Sequence, residues 1–274
     1  MGELDDFLNE HAEDDLVCWL HQAEAARRYG TPVKEVERAI LELGLLPARY
    51  QRNRTTVTTK GQLALFCSRV AVIGCGGLGG YAVELLARLG VGTIVAVDPD
   101  VFEEHNLNRQ LLGNIDAIGI PKVMAAADRV AAINPAVTLV PVQEAFCREN
   151  APEILAGCQV TVDALDNVES RLDLAQVCSH LGLSLVHGAI AGWYGQVATQ
   201  LPGEATVSNI YRGWDSGPGV ESELGNPSFT PAAIASVQAA EVCKLLLRQG
   251  HPLTGRKMVI DLLHMDVDHF DIPT

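Results

Sequence analysis

The stretch Val70-Ala71-Val72-Ile73-Gly74-Cys75-Gly76-Gly77-Leu78-Gly79 constrains this chain more than any other. An apolar, β-branched run enters a glycine-rich turn, and a helical pattern from Tyr81 to Leu89 leaves it. Between a strand and a helix, the spacing G-x-G-x-x-G reads as a phosphate-binding turn. Gly74 permits the tight turn, Gly76 lets backbone approach a phosphate, and Gly79 lets the helix pack close on the strand. Gly77 lies in the same loop, at the point where helical N–H groups turn toward an anion. Asp98 ends the next strand, about 20 residues past the last glycine, where a carboxylate reaches a ribose hydroxyl.

The pattern around that turn alternates. Apolar runs at 70–73, 93–97, 137–142, 159–163 and 184–189 read as strands, and helical stretches lie at 79–89, 121–133 and 168–181. A strand at 196–201, an alanine-rich helix at 231–248 and a strand at 257–261 follow. Such alternation predicts an α/β fold: a Rossmann-like, mostly parallel sheet with helices on both faces, ending in antiparallel strands. Ligands then bind at the carboxyl ends of the strands. The segment 202–230 is rich in Gly, Ser, Asn and Pro, and a loop of that length in a compact domain is a candidate functional loop.

Residues 1–48 read as a small helical appendage to a domain spanning 49–274. Leu16, Trp19, Leu20 and Ala23 recur at helical spacing, and Gly30 ends that helix. Thr31 is then the expected N-cap of a second helix, with Pro32 at its first position and Gly44 past its end. Two short helices around a Gly-Thr-Pro turn suggest a helix-turn-helix DNA reader. The acidic surroundings (Glu35, Glu37, Glu42) favour a docking or dimerisation element instead.

The net charge of −14 argues against nucleic acid and anionic membranes as partners. No apolar run reads as a membrane span, and the acidic N-terminus lacks the features of a secretory signal. Gly2 is not a myristoylation signal, because Asp6 stands where that motif requires Ser or Thr. The expected compartment is therefore cytoplasmic. The cysteines at 18, 67, 75, 147, 158, 178 and 243 form no C-x-x-C pair and read as reduced thiols.

The glycine loop with Asp98 alone would favour a nicotinamide dehydrogenase. The residues that follow change that. Asp98-Pro99-Asp100 leads into Asn106-Leu107-Asn108-Arg109-Gln110, Pro121-Lys122 opens a helix, and Asp163-Ala164-Leu165-Asp166-Asn167 ends a strand. Arg109 and Lys122 are cations that follow successive structural units on one sheet edge. A triphosphate carries enough charge to recruit such cations together with magnesium. Asp166 suits that magnesium, a hard ion held by one or two carboxylates plus substrate phosphates. Singly, each residue has a bland reading: a solvated lysine, a helix N-cap, a surface ion pair. Together and in this order they point to an ATP site.

These combined motifs, from about Ala48 to Asp261, closely resemble the ThiF/MoeB/HesA family, relatives of the ubiquitin-activating enzymes. The resemblance implies ATP-dependent adenylation of the C-terminal carboxylate of a small ubiquitin-like sulfur-carrier protein ending Gly-Gly. The expected setting is molybdenum- or tungsten-pterin cofactor or thiamine synthesis. It implies that Asp98 binds the ribose, Arg109 and Lys122 stabilise the phosphates, Asp166 holds magnesium, and Asn106 and Gln110 shape the site. Asp100 and Asn167 lie in the same motifs and join the nucleotide-binding set. Arg52 matches an arginine that reaches across a homodimer to the neighbour's phosphates, with Arg54 an alternative.

The chain departs from the family in two places. Where many members carry zinc-binding C-x-x-C pairs it has Thr206-Val207-Ser208-Asn209-Ile210-Tyr211 and a cysteine-free tail, so no zinc site is expected. Many members place a cysteine in the crossover loop, but here none lies between Cys178 and Cys243, and Glu221 or its neighbours occupy that place. The reaction is therefore expected to stop at the acyl adenylate. Competing readings are adenylation of a small carboxylate on a modified tRNA or peptide, and a non-catalytic binding partner.

Overall fold

The computed structural model of the chain describes residues 2–214 and 221–273. The N-terminal part holds α1 (Glu3–Glu10), α2 (Trp19–Tyr29) and α3 (Val33–Glu42). Two short parallel strands, β1 (Leu16–Val17) and β2 (Leu46–Pro47), bracket α2 and α3. Phe7, Leu8, Val17, Ala25, Val36 and Ile40 form a core of their own. Gly30 ends α2 in the left-handed conformation at φ +62°, as expected of a helix stop.

Three local expectations fail here. Pro32, not Thr31, is the N-cap of α3. Leu16 pairs with Leu46 in the small ladder rather than entering α2. The apolar stripe of α2 does not face inward: Trp19 is 45% and Leu20 74% exposed, while Gln22 and Ala25 are buried. Gln22 is drawn inside by polar partners, donating to the Val17 carbonyl at 2.7 Å and accepting from Arg49 at 2.8 Å. A buried polar side chain with good partners outranks the local hydrophobic pattern.

After a 3-10 turn over Ala48–Asn53 come α4 (Thr59–Phe66), β3 (Arg69–Ile73), α5 (Gly77–Leu89) and β4 (Thr93–Val97). Next are α6 (Lys122–Ile133), β5 (Thr138–Val142), α7 (Ala151–Ile154), β6 (Val160–Asp163) and α8 (Val168–Leu181). The chain closes with β7 (Ser184–Ala191), β8 (Tyr194–Gln200), α9 (Thr206–Ile210), α10 (Glu221–Leu224), α11 (Phe229–Leu247), β9 (Arg256–Asp261) and β10 (Asp266–Asp271). The main sheet has the order β10-β9-β8-β7-β6-β3-β4-β5. Its strands β3 to β7 run parallel and β8 to β10 antiparallel, which is the expected Rossmann-like architecture.

Both faces of the parallel part are covered, as its unbroken apolar strands require. Val70 and Val72 of β3 point to a core with Ala82, Leu86, Val123 and Ile234. Ala71 and Ile73 point the other way, to Leu174, Cys178, Leu185 and Val207. Strand β10 escaped the sequence reading because Val267 and Phe270 are exposed and not at alternating spacing, so only its pairing with β9 defines it. Helix α11 is, by length and composition, apolar enough to cross a membrane, contrary to the sequence expectation. In this fold it is a core helix, with Ile234, Ala235, Gln238, Glu241 and Val242 buried.

Candidate functional site

Strands β4 and β5 extend the sheet to one side of β3, and β6 and β7 extend it to the other. At such a reversal the loops leaving the two central strands part and open a crevice. Here those loops touch at one point. Gly74 has φ +94°, and a Cβ on it would lie 2.6 Å from the Ala164 carbonyl oxygen. A Cβ on Gly79 would lie 1.7 Å from the Gly74 carbonyl, so α5 sits directly on the loop. Gly76 has space: its Cβ would meet only Gln110, at 3.5 Å, and would project into the crevice.

The crevice is a cavity of about 390 Å³. Of the residues singled out from sequence, Gly74, Gly76, Gly77, Asp98 and Asp100 line one side, and Arg109, Gln110, Lys122, Asp166 and Asn167 complete the wall. Gly79 lies behind the loop and shapes it. Asn106 is not in the wall; it is buried and its side-chain oxygen accepts from the Glu103 N–H at 3.0 Å, holding the turn before Arg109. Arg52 is also outside the wall of its own chain, exposed on the 48–53 turn, and among the described residues no hydrogen bond or ion pair engages it. Arg54, by contrast, pairs with Asp15 at 3.8 Å.

Asp98 ties the glycine loop to the end of β4. Its carboxylate accepts from the Cys75 N–H at 2.7 Å and from the Asp100 N–H at 2.9 Å. Burial pushes its pKa above the ordinary carboxylate value, against the pull of the Cys75 N–H and the Lys122 charge. Lys122 is buried; its ammonium donates to Asp100 at 2.9 Å and lies 3.8 Å from Asp98. It is thus preplaced at the foot of the cavity with carboxylates as its resting partners. Burial raises the Cys75 thiol strongly, which excludes it as a nucleophile at neutral pH.

Arg109 donates to the His105 carbonyl at 3.2 Å and to Asn108 at 2.8 Å. Asn108 in turn donates to the Asn226 carbonyl at 3.2 Å, pinning this block to the segment before α11. Gln110 is buried, and among the described residues its side-chain oxygen has no hydrogen-bond partner. A buried acceptor left so costs about 1–3 kcal/mol, which a ligand donor in the cavity would relieve. Across the cavity, Asn167 is the N-cap of α8, accepting from the Ser170 N–H at 2.9 Å. Asp166 is therefore not the cap, and its exposed carboxylate faces the cavity. A single carboxylate suits magnesium, which keeps several waters and leans on substrate phosphates.

Sequence reasoning missed Glu144, Phe146, Arg171 and Asn226, which also line the cavity. They follow no local motif and are brought in by tertiary packing. A second cavity of about 360 Å³ adjoins the first and shares Arg171 and Ile190 with it. Its wall is largely apolar and aromatic, with Tyr194, Tyr211, Trp214 and Val259. The crossover position occupied by Glu221 cannot be placed against it, since that side chain lies outside the described residues.

The family model described as ThiF family matches residues 50–274. The SAMP-activating enzyme E1 of Haloferax volcanii is 39% identical over 222 residues, covering 79% of this chain and 82% of that protein. The sulfur carrier protein adenylyltransferase of Thermus thermophilus is 37% identical, covering 78% of this chain and 83% of that one. The molybdopterin-synthase adenylyltransferase of Salmonella typhimurium is 34% identical, covering 74% and 83%. Among solved structures, Escherichia coli MccB with ATP superposes with a TM-score of 0.71 at 18% identity, covering 92% of this chain and 82% of that one. That identity speaks for the fold alone.

Proposed function

The chain belongs to the ThiF family, and on that premise we propose that it is an ATP-dependent adenylyltransferase acting on the C-terminal carboxylate of a small ubiquitin-like sulfur carrier. The observation that carries the reading is the pair of cations, Arg109 and Lys122, facing Asp166 across one cavity at the sheet's reversal point. In the reaction, a carboxylate oxygen of the carrier attacks the α-phosphorus of ATP. The bond to the β-phosphate oxygen breaks, leaving an acyl adenylate and pyrophosphate.

The protein's work is electrostatic and positional. The glycine loop and the start of α5 direct N–H groups at the phosphates. Asp98, held by two backbone N–H groups, takes the ribose. Lys122 exchanges its bond to Asp100 for the phosphate oxygens, and Arg109 meets them from the opposite block. Gln110 offers its side-chain oxygen to a nucleotide donor. Magnesium, when bound on Asp166, neutralises phosphate charge. The adjoining apolar cavity takes the carrier's terminal residues and delivers the carboxylate past Ile190 and Arg171.

The reaction ends at the acyl adenylate. No cysteine stands between Cys178 and Cys243, and burial in α11 pushes the Cys243 thiol up to about 11. We place the product in pterin-metal cofactor or thiamine synthesis, in the cytoplasm. The unit of activity is a homodimer, in which Arg52 serves the neighbour's site and the 1–48 appendage flanks the adenylation domain at 49–274. Lys122→Ala and Arg52→Ala chains, each inactive alone, should recover about a quarter of the sites on mixing, because a symmetric dimer exchanges partners at random. No recovery after verified subunit exchange removes Arg52 from the neighbour's site.

The direct test is ATP–pyrophosphate exchange with magnesium and candidate carriers ending Gly-Gly. Carrier-dependent exchange is expected. ATP binding with no exchange for any carrier turns the reading toward a small carboxylate substrate, and absence of ATP binding refutes it.

A further inference from the structure

The loop that presents Asp166 is closed into a ring of hydrogen bonds by residues with no part in the motifs. Asp163, the last residue of β6, is fully buried, and one of its carboxylate oxygens accepts from the Leu165 N–H at 3.0 Å. Its other oxygen accepts from Nδ1 of the fully buried His187, on β7, at 2.7 Å. On the other side of the imidazole, Nε2 faces the Tyr211 hydroxyl at 3.3 Å and Gln196 Nε2 at 3.5 Å. That hydroxyl accepts from Arg171 Nη1 at 3.1 Å. Arg171 closes the ring by donating to the Leu165 carbonyl, at 2.7 Å through Nη2 and 3.2 Å through Nε.

The ring has one source and one sink of hydrogen bonds: Arg171 donates to both Tyr211 and Leu165, and Asp163 accepts from both His187 and Leu165. Leu165 is therefore clamped at both ends of the residue, its N–H by a carboxylate and its C=O by a guanidinium. Asp166 is the next residue. The ring is tied to the rest of the fold by Gln238 of α11, which donates to the Asp163 carbonyl at 2.8 Å. Tyr211 also forms part of the second cavity's wall and Arg171 part of both, so the ring lies between the two.

We propose that His187, Tyr211 and Arg171 are positioning residues that hold Asp166 at the place where it meets the magnesium-bound nucleotide. The proposal rests on the adenylation reading for the role of Asp166, and on the ring's own geometry for everything else. Positioning by a ring differs from packing in one respect: it fails when a single hydroxyl is removed without loss of volume.

Tyr211→Phe makes that change, removing the hydroxyl that accepts from Arg171 Nη1 and faces His187 Nε2. In the full-length protein with its carrier, exchange turnover should fall by about one to two orders of magnitude, the scale of a displacement of about 1 Å. Half-saturation by magnesium should rise severalfold. In Asp166→Asn protein the same substitution should change nothing further, because interacting residues are non-additive. Wild-type turnover and magnesium dependence in Tyr211→Phe, or an undiminished effect in the Asp166→Asn background, would overturn the proposal. Calorimetric titration of ATP at graded magnesium separates it from the reading it rests on. If wild type binds magnesium–ATP but shows no carrier-dependent exchange, the adenylation reading fails. A weakened magnesium dependence of binding in Tyr211→Phe then still supports the ring, and an unchanged one rejects it.

Discussion

On the β3 side of the nucleotide cleft, each group is fixed by close neighbours on the consecutive elements from β3 to α6. Gly79 abuts Gly74, Cys75 bonds Asp98, and Asp100 bonds both Asp98 and Lys122. On the β6 side, Asp166 stands exposed and its loop is held by His187 from β7, Arg171 from α8 and Tyr211 at the end of α9. The first wall carries binding and folding in the same residues. The second separates them, with an exposed functional carboxylate in front and a buried support behind. Substitutions should therefore damage fold and chemistry together on one side and chemistry alone on the other.

The sharpest break is Gly79→Ala. No rotamer relieves a Cβ 1.7 Å from a carbonyl oxygen, so the loop must move, with a loss of about 3 kcal/mol or more in stability. Urea denaturation reads it, and a wild-type midpoint would mean that α5 does not sit on the glycine loop as described. Lys122→Ala should lower pyrophosphate exchange by about 10²–10³, the usual effect of removing one charge-stabilising donor. Asp166→Asn should lower exchange by a similar or smaller factor and leave stability within about 0.5 kcal/mol, as expected for an exposed side chain. A large loss of stability there would erase the contrast between the walls.

The smallest effect concerns pH. Asp98 has its native pKa raised by burial, above the value it has in the unfolded chain. Between those two values the folded protein holds a proton that the unfolded chain lacks. The contribution of this group to stability therefore increases as pH falls through that window, and it is least favourable above the native value. Asp98→Asn should flatten this part of the profile. Urea midpoints across acidic pH test it, and an unchanged slope would place the titration elsewhere.

The same contrast explains what the sequence made legible. The β3 wall is written within one continuous stretch, so glycine spacing, Asp98 and Lys122 could be read directly. Asp166 was legible as a carboxylate at a strand end. Its support was not, because Arg171, His187 and Tyr211 meet only after the sheet has formed, and each alone reads as an ordinary helix, strand or loop residue. The α2 stripe misled for a related reason: the buried Gln22 is chosen by Arg49 and Val17, partners outside its own helix. Asn106 was placed in the site by its motif, and the fold uses it one turn away as a brace for Arg109.

The central claim is that the chain transfers AMP to a carrier carboxylate and retains nothing covalently itself. Intact-mass measurement of carrier and chain after incubation with magnesium–ATP tests this most directly. The account predicts carrier bearing one AMP, with this chain unmodified. A carrier joined to this chain through a thioester or acyl disulfide, or a carrier left unmodified while ATP is bound, would contradict it.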